Sequence, residues 1–451
     1  MPIATKTIAA RVLSICAAGL FIHLNALAAI PIQNWTQASG AKVYLVESPA
    51  IAMLDVQIDF DAGSRRDPPG QAGLASMTAE ILEKGVRAKD GETALDENAL
   101  GEAWAELGAQ LGAGASADRM SFTLRSLTDP ALLDQAVALA ARQIGEPSFP
   151  EEVLQRERQR LQASLKESYT RPGSVIGRAY SQAVYGSHPY GYEMTEATLG
   201  NIAVSDLQAA YAAGVVACRA RISMVGAVTR AQADAIAARL LSRLPQLPCA
   251  SLPPLPPVPE VAPLAEAQQK SIPFDSAQAH VLIGQPGFKR TDPDYFPMIV
   301  GNYILGGGGF VSRLTSEVRE KRGLTYGVSS SFSPGLHAGS FTVGLQTRPD
   351  QTAQAVQIAR QVVRDFVADG PSAAELKAAK DNLIGGFALR IDSNRKLLGN
   401  LAGIAWNNLP LDYLDTWTKQ VEKVSVADIK AAFARKLQPD KMVTFVLGAA
   451  P

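Results

Sequence analysis

The chain has 451 residues, too many for one ordinary domain and well suited to two of about 200 residues each. Its 43 basic and 43 acidic side chains balance, so no charge excess points to nucleic acid or to an anionic membrane surface as a partner. With 47% hydrophobic and 19% charged residues, the composition is that of an ordinary soluble globular protein, not of a disordered chain.

Residues 1–28 have a basic start (Lys6, Arg11), an apolar middle, and Ala26 and Ala28 in an A-x-A arrangement. These are the features of a secretory signal cut after Ala28, and they predict a periplasmic protein. A membrane anchor is the competing reading. His23 and Asn25, however, interrupt the apolar run before it reaches the roughly 20 residues needed to span, so stable membrane insertion is not expected. Ile15 stands before Cys16, where a lipoprotein would carry a small residue. The mature chain keeps Cys218 and Cys249. Export would let them persist as a bridge, while two separate buried thiols remain the alternative, because sequence supplies no Cα distance.

Residues 60–85, FDAGSRRDPPGQAGLASMTAEILEKG, predict a strand ending at Phe60, a Gly/Pro-rich turn, and a helix opened by Gly73. That helix buries Leu74, Met77 and Ile81 and stops before Gly85. Further along, AVALAARQIGEPSFPEEVLQRERQRLQASL predicts two helices about a Pro-containing turn, and AVQIARQVVRDFVADGPSAAELKAAKDNLIGGF predicts the same order. The segments VSDLQAAYAAGVVACRARISMVGAV and VSVADIKAAFARKLQPDKMVTFVLGAA are each a capped helix followed by an apolar strand, pairing Val204 with Val424 and Asp206 with Asp428. Strands with apolar alternation open both halves, in KVYLVESPAIAMLDVQIDFDAGS and AQAHVLIGQPGF. The fold class is therefore α+β: two homologous units, each a mixed, mainly antiparallel sheet covered by helices.

Between the units lies a Pro-rich stretch through which neither a helix nor a central strand can pass, a semi-rigid linker over 245–272. The expected organisation is a signal peptide at 1–28, an N-terminal domain at 29–244, the linker, and a C-terminal domain at 273–451.

Residues 301–335, GNYILGGGGFVSRLTSEVREKRGLTYGVSSSFSPG, predict a flexible turn at Gly306–Gly309, a charged helix over 312–322 capped by Gly323, and a strand over 324–332. A phosphate-cradling loop is the tempting alternative, but neither G-K-[ST] nor a dinucleotide spacing is present.

The turn and helix at 60–85 resemble the pitrilysin/insulinase family of inverted-motif zinc peptidases, whose helix reads H-x-x-E-H after a G-S-R-x-D-P turn. The bacterial short-chain type is the nearest in form. In that motif two histidines bind zinc and the glutamate deprotonates the metal-bound water. Laid on this chain, the first histidine falls on Ser76, the general base on Ala79 and the second histidine on Glu80. The family's third ligand, seven residues after a glutamate that matches Glu157, falls on Ser164. All four metal-chemistry positions are replaced. The mature histidines, His188, His280 and His337, show no i, i+4 pair, so no zinc is expected in this chain. His188, within HPYG, is expected to be a core or turn residue.

The resemblance is close in the second half, where G-G-G-x-x-S-R-L and R-E-K-R-G-L-x-Y recur. In active members an arginine and a tyrosine seven apart hold the substrate's backbone carbonyl; here they are Arg319 and Tyr326. The bland alternatives are a solvated helix charge and a half-buried strand aromatic. The resemblance implies the fold of the mitochondrial processing peptidase and the role of a non-catalytic subunit. Such a subunit would pair with a homologous H-x-x-E-H chain that carries the zinc, enclose an unstructured peptide, and contribute Arg319 and Tyr326 to it. A non-enzymatic peptide-binding or scaffold protein is the alternative.

Overall fold

A computed structural model describes residues 30–448. The expected signal segment lies outside the described residues, and among them no helix is long and apolar enough to cross a membrane.

The first half contributes β1 (Gln33–Thr36), β2 (Lys42–Glu47), β3 (Met53–Phe60), the short pair β4 (Gly85–Val86) and β5 (Leu95–Asp96), β6 (Gln110–Ala115), β7 (Met120–Leu127) and β8 (Arg221–Gly226). The second contributes β9 (Gln269–Ile272), β10 (Ala279–Pro286), β11 (Val328–Phe332), β12 (Ser340–Thr347) and β13 (Val443–Leu447). The main sheets run β1-β2-β8-β3-β7-β6 and β9-β13-β10-β12-β11. The parallel pairs, β2 with β8 and β9 with β13, occupy the same place in each sheet, and the remaining pairs are antiparallel. Strand for strand, apart from β1, the second sheet repeats the first. The duplication read from sequence is thus a duplication of topology.

The closing helices correct one detail of that reading. In Val204–Gly214, Asp206 accepts from the backbone N–H of Ala203 at 2.8 Å; in Val426–Lys436, Asp428 accepts from that of Ser425 at 2.8 Å. Val204 therefore corresponds to Val426, not Val424, and one constant offset relates both the valines and the aspartates. The extra Val-Ser before the second helix had displaced the alignment.

Each sheet is buried on both faces. On the first, Leu54, Val56, Ile58 and Phe60 of β3 pack on helices of their own half, including Met77 and Ile81 of Leu74–Ile81. The opposite face, with Tyr44 and Val46 of β2 and Val225 of β8, packs on Leu397, Leu398, Leu401 and Ile404 of Asn394–Asn407, a helix of the second half. The exchange is reciprocal. Helix Pro172–Tyr185 of the first half sets Ile176, Tyr180 and Val184 against Val443, Phe445 and Leu447 of β13. Polar bonds fix both crossings: Tyr180 Oη donates to the carbonyl of Phe341 at 2.8 Å, and Arg221 Nη1 to that of Trp406 at 2.6 Å.

The linker is held along the first half. Cys218 and Cys249 form a disulfide, Arg66 Nη1 donates to the Pro256 carbonyl at 3.0 Å, and His188 Nε2 is hydrogen-bonded to the Pro259 carbonyl at 3.0 Å. Of the two states left open for the cysteines, the structure has the bridge. Residues 269–272, assigned above to the linker, instead form the edge strand β9; Gln-Lys-Ser-Ile carries too little apolar alternation to announce a strand. His188 itself is buried, its Nδ1 accepting from the backbone N–H of Tyr190 at 3.0 Å.

In the second half, Arg313 donates to both carboxylate oxygens of Glu375 at 2.6 and 2.7 Å, tying the segment after the glycine run to helix Ala373–Gly385. The Arg313 bonds, opposed by burial and aided by the Ser372 backbone N–H, pull the Glu375 carboxyl from 4.5 down to about 2. A depressed carboxylate stabilises the fold fully above its unfolded value and loses that contribution as pH falls through the folded one. Glu375→Gln is therefore expected to lower stability at neutral pH, with the gap to wild type closing between pH 4.5 and about 2, as read by urea denaturation across that range. Leu401→Ala, at the centre of one exchanged helix, is expected to cost about 2–5 kcal/mol in the same assay.

Candidate functional site

The helix Leu74–Ile81 begins at Gly73, whose φ of 107° suits glycine. Its first turn is capped by Asp67, which accepts from the backbone N–H groups of Gly73 at 2.9 Å and Ala75 at 3.0 Å. The cap sets the face that would carry the metal. On that face Ser76 is half-buried, Ala79 is buried without a donor atom, and Glu80 points to the helix Glu151–Ser168. There Arg160 donates to Glu80 at 2.7 Å and to Glu157 at 2.6 Å. Arg156 reaches Glu157 at 3.0 Å, and Lys84 lies 3.6 Å from Glu80 and 3.9 Å from Glu157. Burial would raise the Glu157 carboxyl, but the bonds from Arg160 and Arg156 and the charge of Lys84 hold it below the usual carboxylate range.

The residues present do not fit a zinc ion. A catalytic site wants three nitrogen, sulfur or carboxylate ligands and an open position. Here both carboxylates are bound to side-chain cations, Ala79 offers nothing, and Ser164 stands exposed on the solvent side of its helix. Among the described residues no group of three or more His, Cys, Asp or Glu is placed to hold a metal. Arg160 and Lys84 supply the positive charge that a metal would bring. Their signal in the sequence is the i, i+4 pair Glu80/Lys84 and the i, i+3 pair Glu157/Arg160.

The second-half motif is built differently from its local reading. Only the second half of the glycine run is a turn: Gly306 and Gly307 belong to Tyr303–Gly307, a π-helical turn that continues the helix Tyr295–Asn302, Gly308 and the 3-10 turn Gly309–Val311 follow, and Thr315–Glu320 forms another π-helical turn. Such turns recur at functional sites because they push one residue out of register. Gly306 is needed for close approach, since a Cβ there would lie 2.5 Å from the backbone N of Ser330 in β11. Gly323, at φ 61°, does end the helical segment, with its N–H donating to the Arg319 carbonyl at 2.8 Å and that of Leu324 to the Val318 carbonyl at 3.0 Å. The strand β11 starts only at Val328, because Thr325 turns its hydroxyl back to the carbonyl of Gly327 at 2.8 Å.

This geometry brings Arg319 and Tyr326 together. The Arg319 guanidinium sits 5.2 Å from the centre of the Tyr326 ring and 4.6 Å from that of Phe310. Tyr326 is 86% exposed, Phe310 67% and the adjoining Val311 73%, so this is a presented apolar tip and not a half-buried strand aromatic. Arg319 makes no ion pair among the described residues, while the neighbouring Arg322 and Lys321 are both bound to Glu317. Its fork is held between two rings with its donors unclaimed by any carboxylate. Tyr326 also borders a groove of about 460 Å³ shared with Gly173 and Ile176 of the first half and with His280, whose imidazole burial pushes below its ordinary value. Sequence reasoning missed Phe310 and His280. An aromatic just after a glycine run was the available signal for the former, and none marked the latter. No hydrogen bond or ion pair among the described residues joins the Arg319/Tyr326 group to the Ser76/Glu80 group.

Residues 42–198 match the family model described as Insulinase (Peptidase family M16), and residues 201–383 match that described as Peptidase M16 inactive domain. A crystal structure of a peptidase M16 inactive domain from Pseudomonas fluorescens is 35% identical, with a TM-score of 0.86 over 93% of this chain and 98% of that one. A Helicobacter pylori protein named Non-peptidase homolog YmxG is 25% identical over 420 residues, 91% of this chain and 92% of its own. The periplasmic protease PqqL from Escherichia coli shares the fold, at 17% identity and a TM-score of 0.77 over 99% of this chain and 49% of that chain. Two repeated α+β units and these matches together make the chain a member of the insulinase (M16) peptidase family, with a metal helix that carries none of the motif's ligands.

Proposed function

We propose that the protein is the non-catalytic subunit of an exported, heterodimeric zinc metallopeptidase, working in the periplasm beside a homologous chain that bears H-x-x-E-H and its zinc. The observation that carries this reading is the contrast between the two half-sites. The metal face is neutralised by Arg160 and Lys84, whereas Tyr326 stands exposed and the half-buried Arg319 beside it pairs with no carboxylate among the described residues. A group kept free at a surface costs the fold the pairing it could have had, and that cost is sensible where a ligand supplies the partner.

In the proposed complex the partner's zinc supplies the activated water. This chain's part is to bind and orient. Arg319 offers a charged fork and Tyr326 a neutral hydroxyl to the carbonyl of an unstructured peptide, and both can strengthen as charge develops on that oxygen. Phe310 and Val311 add an apolar surface beside them. The domain limits fit the same scheme, with the first domain and its degenerate metal face at 29–244 and the Arg/Tyr domain beginning at β9.

Purified alone, the protein is expected to leave a pool of unstructured peptides uncut. Mixed with an exported H-x-x-E-H homologue from the same organism, it is expected to give chelator-sensitive cleavage. Arg319→Ala is expected to lower kcat by about 10²–10³ while leaving complex formation, measured by analytical ultracentrifugation, unchanged. Metal-dependent cleavage by this chain alone would refute the reading. A complex as active with Arg319→Ala as without it would favour the scaffold alternative.

A further inference from the structure

At the start of β8 the seam between the halves opens into a second cavity, of about 340 Å³, whose lining includes no residue of either half-site. The first half lines it with Lys42, Arg219 and Arg221, the linker with Leu255, and the second half with Leu336 and Trp406. Its charge is unbalanced. Lys42, Arg219 and Arg221 make no ion pair among the described residues. The bonds of Arg219 go to the carbonyls of Ala213 and Pro253, and that of Arg221 to the carbonyl of Trp406. Asp61 also lines the cavity, but Arg65 and Arg66 both bind it. The nearby Asp59 is taken by Arg119 at 3.0 Å and by the Ser121 hydroxyl.

A second observation points the same way. Trp406 is 6% exposed and its Nε1–H, a donor with no other use, finds no acceptor. An unmet buried donor is unfavourable, so in the wall of a basic cavity it is a ready site for an acceptor from outside the chain. The indole is also fixed in place, with the Arg221 guanidinium 4.9 Å and that of Arg119 5.6 Å from its ring centre. Burial lowers the affinity of Arg221 for its proton, with the charges of Asp61 and Asp59 only partly opposing it.

We propose that this cavity binds a small oxyanion, a phosphate or carboxylate group on a compact molecule, through Lys42, Arg219, Arg221 and the Trp406 Nε1–H. Leu255 and Leu336 offer the rest of that molecule an apolar wall. Because its donors come from both halves, the anion would brace the seam, a role separate from peptide holding at Arg319.

The test is a fluorescence titration of the mature chain with inorganic phosphate and, separately, succinate, each against sodium chloride of matched ionic strength. A saturable change beyond that of chloride, absent in Trp406→Phe, is expected. Lys42→Gln and Arg219→Gln are each expected to weaken binding by about tenfold or more. Saturation with phosphate alone identifies a phosphate ester as the natural source, with succinate alone a carboxylate, and with both a site that reads only oxyanion charge. A response no greater than that of chloride, in protein whose near-UV circular dichroism is native, would overturn the proposal. So would a saturable response that both charge variants leave undiminished.

Discussion

The structure depends on one exchange. Neither sheet can bury its second face with helices of its own half, so each borrows one: Asn394–Asn407 closes the first sheet and Pro172–Tyr185 the second. Burial of side chains such as Leu401 and Phe445 at these crossings is worth roughly 1.5–3 kcal/mol apiece, and the gain is available only when both halves are folded and docked. The position of Tyr326 follows from this, because its groove is bounded by the N-terminal end of the exchanged helix at Gly173 and Ile176. The cavity at β8 follows too, lying where the other exchanged helix ends at Trp406.

Much of the fold was legible because its signals are local. The apolar alternation of β3, the aspartate caps at Asp206 and Asp428, and the glycine stop at Gly323 depend on neighbours within a few residues. What was illegible depends on distant partners. Ile176, Tyr180 and Val184 read as the inner stripe of any amphipathic helix, and nothing in their spacing says that the sheet they cover belongs to the other half. The glycine run was misread for the same reason. Gly306 looks like flexibility until Ser330 is seen against it. β9 was lost to the linker because an edge strand paired on one side needs few apolar residues.

The two half-sites show how a helix face adapts when its cofactor chemistry goes. Two carboxylates facing each other across helices repel unless something positive lies between them. Arg160, Arg156 and Lys84 fill that role with flexible side chains that need no precise coordination sphere. The replacement keeps the packing of the two helices and removes the open ligand position that catalysis would require. At the Arg319 end the pressure runs the other way. The positive group is left without a carboxylate and is steadied by aromatic rings, which restrict its motion without satisfying its hydrogen bonds.

The disulfide between Cys218 and Cys249 bears on a hazard that the exchanged helices create. Two folded units that complete each other could as well be completed by the corresponding unit of a neighbouring chain, giving an interlocked dimer at high protein concentration. Which arrangement forms depends on how freely the connecting segment can reach. The bridge fastens the linker near its start to the end of the helix region before β8, and Arg66 and His188 hold it further along. Its remaining free length is short, and the local concentration of a chain's own second unit is correspondingly high. A bridge at this place therefore bears on more than local stability: by shortening the reach of the connecting segment it favours completion of each sheet by the chain's own helix over exchange of helices between molecules.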